Sequence, residues 1–327
     1  MSKRIRIIQY GLGAIGCAAA RLVLEKKNMQ LVGAVDLDPN LLGCDLGEVL
    51  GSKRKLGITV SKKLTVADAV IHCATSKFEE CAAQISEIAR AGMHCVTSCE
   101  EALFPYYKHR TVAEKLHEVC VKHSVAAVGT GVNPGFVMDT LATVSTAVCQ
   151  RVDSVRVLRV VDASTRREAL QRKVGAGIVK EEFEKLVVDG KLGHAGLIES
   201  LAFVVVALGL RGAKLEERIE PVLTTRSIRT KYVSLLPGQV AGVRQVARAV
   251  LDGHEVARLE LQMYVGAEQP RDEIEIAGVP PLHVVVTGGT PGDLATPAIL
   301  VNMVPALLTA GPGLHTMATL PLPRITL

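Results

Sequence analysis

Two adjacent acids, Glu100 and Glu101, close the segment Thr97-Ser98-Cys99-Glu100-Glu101, directly after an apolar run. A carboxylate at the end of a sheet strand can take a proton from an amine or a water, or hold an ammonium group. The same pair would suit the first turn of a helix, where negative charge complements the dipole. At this place in the chain one of the two reads as a general base. The residues leave open which.

A second constellation opens the chain. The apolar run Ile5 to Tyr10 ends in Gly11, Gly13 and Gly16, spaced G-x-G-x-x-G, with Leu12, Ala14 and Ile15 between them. A helix-period segment follows, then a second apolar run, Leu31 to Val35, ending in Asp36. This is the dinucleotide fingerprint in its full context: strand, glycine turn, helix, strand, acid. Gly11 permits a tight turn, Gly13 leaves room for a pyrophosphate, and Gly16 lets helix and strand approach. The helix start offers free N–H groups to phosphate. Asp36 can accept hydrogen bonds from a ribose diol and disfavours a 2′-phosphate, so NAD is preferred to NADP. A merely structural glycine turn would leave the position of Asp36 unexplained.

The elements that must position these residues alternate between strand and helix patterns. Val66–Ala74, His94–Ser98 and Val125–Val128 read as strands, Phe78–Ala91 and Tyr106–His123 as helices. Such an order implies a doubly wound parallel α/β sheet of the Rossmann kind over residues 1–138, with ligands at the carboxyl ends of its strands. Those ends supply Ala74, Thr75, Ser76 and Cys99 as further cofactor contacts. After about residue 140 the alternation becomes apolar–polar, as in Val256–Tyr264 and Leu282–Val286. That implies a second, α+β domain with a mostly antiparallel sheet over 139–289. Residues 290–327, with a helical period over Thr296–Ala310, would pack back on the first domain.

Two loops could face a substrate. Gly129–Phe136 (GTGVNPGF) is a tight Gly/Pro turn in which Asn133 can bond an amide of the cofactor or the substrate, with Pro134 and Phe136 beside it and Asp139 suited to cap a helix. Gly193–Ser200 (GHAGLIES) carries His194 and Glu199 at the start of an apolar helix. A lone His there is more often a cap or a packed side chain than a catalyst, so His194 is placed on the substrate-lining side. Gly288–Asp293 reads as a sharp reversal with Asp293 capping the next helix.

Composition excludes several classes. The chain has 327 residues, 48% hydrophobic and 22% charged, enough for two cored domains. A net charge of +5 without a Lys/Arg block argues against nucleic acid. The longest apolar stretch, Leu201–Leu210, is too short for a membrane span. Eight scattered cysteines without C-x-x-C suit reduced thiols in the cytoplasm, and no metal site is expected. Metalloprotease, P-loop and serine-hydrolase motifs are absent.

Taken together, GLGAIG, AVDLDPNLLGCDLGEV, TSCEEALFP, GTGVNPGFVMD, GHAGLIES and ATPAILVNMVP resemble the 2,4-diaminopentanoate dehydrogenase family, whose relatives include native amine dehydrogenases of dihydrodipicolinate-reductase-like fold. The resemblance runs through nearly the whole chain. It implies NAD(P)-dependent, reversible oxidative deamination of an amine or diamino acid, with ammonia and a ketone or aldehyde as partners of the reverse reaction. It also implies a catalytic glutamate at Glu100 or Glu101. A homodimer is expected from the apolar strands of the second domain. Two rivals share the fold: a reductase of a C=N or C=O bond in a carboxylated substrate, and a non-catalytic NAD(H) sensor. The H-H-x-x-K segment of dihydrodipicolinate reductase itself is not found. The low aromatic content, 3%, departs from the usual small amine pocket.

Overall fold

Runs of Ile, Val and Ala favour buried strands, and the helical periods between them supply covering faces. In the computed structural model, which describes residues 4–325, the chain begins β1 (Ile5–Tyr10), α1 (Ala14–Glu25), β2 (Met29–Val35), α2 (Leu46–Val49), β3 (Val60–Ser61), β4 (Ala69–His72), α3 (Phe78–Arg90), β5 (His94–Thr97), a 3-10 turn (Glu100–Leu103), α4 (Arg110–Lys122) and β6 (Ala126–Gly129). There follow α5 (Thr140–Ser145), β7 (Arg151–Asp162), α6 (Glu168–Lys173), α7 (Lys180–Val188), α8 (Leu197–Ala207), β8 (Lys214–Leu223), β9 (Ile228–Arg229), β10 (Ser234–Leu235), β11 (Val240–Leu251), β12 (His254–Tyr264), β13 (Arg271–Val279) and β14 (Leu282–Thr287). The chain closes with α9 (Gly292–Leu308) and β15 (Gly313–His315). Two compact units result: Met1–Phe136 with Pro291–Leu327, and Val137–Thr290.

The first unit is a seven-stranded sheet in the order β15-β6-β5-β4-β1-β2-β3, parallel at every pairing. Strand order reverses between β1 and β4, which makes their carboxyl ends the switch point of a doubly wound fold. Ile7, Ile8, Val70, Ile71 and Val96 are wholly buried. On one side lies a core of Phe78, Ile85, Ile88, Leu116 and Cys120 from α3 and α4. Helix α9 packs on α1 and β5 through Leu300, Val304 and Leu307. Its N-cap position is Pro291, and Asp293 lies in its first turn, where an acid complements the helix dipole.

The second unit carries a six-stranded sheet, β14-β13-β7-β12-β11-β8, antiparallel except for β7 with β12. Alternation along each strand separates a buried face, such as Val243, Ala247, Leu259 and Leu261, from a face of charged and aliphatic residues. Helix α8 is almost wholly buried against it. Among the described residues no helix is long and apolar enough to cross a membrane. The edges of two first-unit elements differ from the sequence pattern. The Val66–Ala74 run forms a strand only over Ala69–His72, because Asp68 turns to Arg6 through a 2.7 Å ion pair. The Tyr106–His123 helix starts at Arg110, because the acidic turn and the bends after it occupy the preceding residues.

One buried polar group sets a pH limit on the first unit. His72 has no exposed surface; its Nδ1 lies 2.9 Å from Thr97 Oγ1 and its Nε2 2.7 Å from Gln84 Oε1. Burial lowers its pKa from 6.5 to about 4. The unfolded chain therefore takes up this proton near pH 6.5 and the folded chain only near 4. Stability is fully present above pH 6.5 and declines as pH falls toward 4, by about 3 kcal/mol. Half-buried His94, lowered by desolvation, acts in the same direction. Urea unfolding at pH 7 and pH 4.5 should show this drop; an unchanged midpoint would contradict it.

Candidate active site

Sterics around the first glycine turn fix its backbone. Gly11 has φ +87°, and a Cβ there would meet Cys73 O at 2.5 Å. At Gly16 a Cβ would stand 1.9 Å from Gly11 O. Helix α1 thus rests directly on its own loop. Gly13 differs: a Cβ there meets nothing within 4 Å. It is the N-cap of α1, without a side-chain cap bond and without an acid in the first turn. The first amides of a helix lack intrahelical acceptors and carry the positive dipole end. Open space in front of uncapped amides fits an anionic group, as a pyrophosphate requires. Leu12, Ala14 and Ile15 complete this tip, with Ala14 exposed and Leu12 buried.

Asp36 is held close to this loop. Its Oδ2 accepts the Leu12 N–H at 2.6 Å and its Oδ1 the Asp38 N–H at 2.8 Å. Gln9, fully buried, donates from Nε2 to Gly11 O at 3.0 Å. A buried glutamine in a strand rich in isoleucine is the sequence signal for this support.

At the carboxyl end of β4, Ala74 and Ser76 are exposed. The Thr75 hydroxyl donates to Glu80 Oε2 at 2.8 Å and accepts the Lys77 N–H at 3.2 Å. After β5, Cys99 is buried, with its N–H on Thr97 Oγ1 at 3.1 Å. A hydrogen bond with Cys81, together with burial, holds the Cys99 thiol well above its usual range, so it stays protonated. Cys99 therefore carries no thiolate, and its backbone is engaged on both sides, its C=O accepting the Ala102 N–H at 3.0 Å.

The two acids are placed differently. Glu101 Oε2 accepts the Phe78 N–H at 2.7 Å, so it supplies the cap that Lys77 does not give α3. It also lies 3.3 Å from His109 Nε2. Glu100 is half-buried and makes no hydrogen bond or ion pair among the described residues. One carboxylate is thus bound into the scaffold and its neighbour is not.

After β6, the loop contains a cis Asn133–Pro134 peptide, and Gly135, at φ +131°, packs so closely on Gly131 N that no Cβ fits there. Val132 N–H reaches Thr296 Oγ1 of α9 at 3.2 Å. Asn133 and Phe136 are half-buried and Pro134 is buried. The Thr130 hydroxyl is buried without a hydrogen-bond partner among the described residues.

His194 belongs to the second unit. The buried Gln245 side chain holds its backbone from both sides, accepting His194 N–H at 2.8 Å and donating to His194 O at 2.9 Å. Nearby, Asp139 caps α5 and accepts the Ser200 hydroxyl at 2.7 Å. A buried Arg159–Asp272 pair clasps Thr290 through both its backbone groups. Gln245, Arg159, His72 and His109 belong to no local motif, and their side-chain contacts join separate elements of the chain.

The glycine geometry separates two roles. Gly16→Ala should cost about 3 kcal/mol or more, because backbone must move. Gly13→Ala should cost no more than about 1 kcal/mol yet weaken dinucleotide binding at least tenfold. Thermal melts and NADH titration check this; equal stability losses, or unaffected binding in Gly13→Ala, would contradict it.

Residues 136–327 match the family model described as the 2,4-diaminopentanoate dehydrogenase C-terminal domain. The chain is 30% identical to 2,4-diaminopentanoate dehydrogenase of Acetoanaerobium sticklandii, over 98% of this chain and 95% of that protein. It is 21% identical to amine dehydrogenase of Streptomyces virginiae, covering 97% and 96% of the two chains. Its structure is similar to that of amine dehydrogenase from Mycobacterium smegmatis, with TM-score 0.86, 25% identity and coverage of 99% and 98%. On the likeness of both sequence and structure, the chain belongs to the 2,4-diaminopentanoate dehydrogenase family.

Proposed function

We propose that this protein is an amine or diamino-acid dehydrogenase that uses NAD in preference to NADP, with Glu100 as its general base. The carrying observation is the division between the acids: Glu101 caps α3, while Glu100 is unengaged at the same sheet edge as the uncapped α1. The cofactor would be held by Gly11–Gly16, with Asp36 at the ribose and Ala74, Thr75, Ser76 and Cys99 along the path to the nicotinamide. When bound, it supplies a two-electron acceptor for the substrate hydride. Asn133, Pro134, Phe136 and His194 are assigned to the substrate.

In the oxidative direction Glu100 takes a proton from the substrate ammonium, freeing the lone pair that expels hydride from the adjacent carbon. Once that proton has passed to solvent, the restored carboxylate stabilises the iminium cation. It then takes a proton from the attacking water and returns it to the nitrogen of the resulting carbinolamine, which collapses to ketone and ammonia. The reverse sequence is reductive amination. The coupled partners are small molecules and ammonia.

Ketone screens should show NADH consumption that requires ammonia, faster than with NADPH. Glu100→Gln should lower kcat at least a hundredfold without a comparable change in NADH affinity. Ammonia-independent turnover would replace this reading with that of a C=N or C=O reductase.

We also propose a homodimer formed through the open face of the six-stranded sheet. That face sets Val246, Val256 and Leu158 among ion pairs such as Arg244–Glu260 at 2.7 Å and Arg271–Glu273 at 2.6 Å, so its charges are largely neutralised before any docking. Light scattering should return twice the 34.8 kDa chain mass; a monomer at micromolar concentration would contradict it.

A further inference from the structure

His109 has no part in the proton transfers assigned above, yet it stands where three segments of the first unit converge. These are the start of α3, the acidic turn and the start of α4. His109 is the N-cap residue of α4. Its Nε2 lies 3.3 Å from Glu101 Oε2, and its Nδ1 lies 3.8 Å from Glu79 Oε1. The first distance is short enough for a weak charge-assisted contact and the second is not a hydrogen bond. The imidazole also rests against the Phe78 ring, centroids 5.7 Å apart. Its side chain is 22% exposed and that of Glu101 23%, so solvent only partly competes for their contact.

Two consequences follow for neighbouring residues. Glu101, gripped by the Phe78 N–H and by His109, is kept from rotating toward Glu100. The Phe78 N–H it holds begins α3, and that helix start is continuous with the Ala74–Ser76 loop. The loop's other tether, the Thr75 hydroxyl, is bonded to Glu80 on the same first turn of α3. Fixing Phe78 therefore steadies Thr75 and the Ser76 end of the loop assigned to the cofactor.

We propose that His109 is a positioning residue for the reaction, acting through Glu101: the pair anchors the start of α3 and the Ala74–Ser76 loop, and leaves Glu100 the one acid free for chemistry. This rests on the reading of Glu100 as general base. Two properties of His109 must then be separable, its N–H and its ring. His109→Gln keeps a donor and loses the ring stack on Phe78. His109→Phe keeps the stack and loses the donor.

The test measures kcat and KM for amine and cofactor in both variants, alone and combined with Glu101→Gln, beside thermal melts. The expected result is kcat within about threefold of the parent for His109→Gln and at least tenfold lower for His109→Phe, with both folded. In the Glu101→Gln background His109→Phe should cause no further loss, because the contact it removes is already weakened. A purely structural role gives the opposite order, Gln worse than Phe, and losses that multiply with Glu101→Gln; either outcome overturns the proposal. Should Glu100→Gln leave turnover intact, the general-base reading fails by itself, whatever the His109 variants do. Should Glu100→Gln abolish turnover while His109→Phe does not change it, only the positioning role fails.

Discussion

A helix that begins without a side chain to cap it controls much of the first unit. Gly13 is the N-cap of helix α1, it offers no side-chain cap, and a Cβ there would meet nothing within 4 Å. Such a terminus carries partial positive charge and unsatisfied donors, costs the protein local stability, and attracts an anion. Everything nearby accommodates it. Gly16 and Gly11 allow the helix to lie on its loop. Asp36 secures Leu12, and buried Gln9 secures Gly11 O. The contrast with α3 is instructive, because there the missing cap is supplied by Glu101 from another segment.

That borrowed cap gives the acidic pair its asymmetry. Two like charges side by side in sequence would compete for one proton if both faced the same space. Here Glu101 is turned to α3 and His109, so the two acids occupy different environments. Beneath them His72, Thr97 and Cys99 form a buried polar chain that sets the turn after β5. A neutral imidazole with both nitrogens engaged can hold such a turn without burying charge. Under the proposed function, rigid support below and an unengaged carboxylate above are what preorganised proton transfer needs.

Much of this was legible in the chain, for identifiable reasons. The glycine turn is readable because each glycine is demanded by a separate steric condition at fixed spacing. The parallel sheet is readable because strands buried on both faces must be apolar throughout, as Val70–Ile71 and Ala126–Val128 are. The alternating strands of the second unit were equally visible, but the single parallel pairing of β7 with β12 was not, since alternation is the same whichever way a neighbour runs. The division of labour between Glu100 and Glu101 was not legible either. It depends on Phe78 and His109, 23 residues before and eight after Glu101. No local pattern records that meeting. Gln245, which holds His194 from 51 residues away, is hidden for the same reason. Polar residues within apolar strands, Gln9 and His72, were the one available clue to the buried network.

Proton transfer at this site depends on which carboxylate faces the reacting carbon. A crystal structure with NAD+ and an amine or ketone analogue measures this directly. The pyrophosphate should lie on Gly11–Gly16, the Glu100 carboxylate nearest the nicotinamide C4 and the substrate nitrogen, and Glu101 still on the Phe78 N–H. A complex in which Glu101 has left Phe78 to face the nicotinamide, with Glu100 turned to solvent, would contradict this assignment.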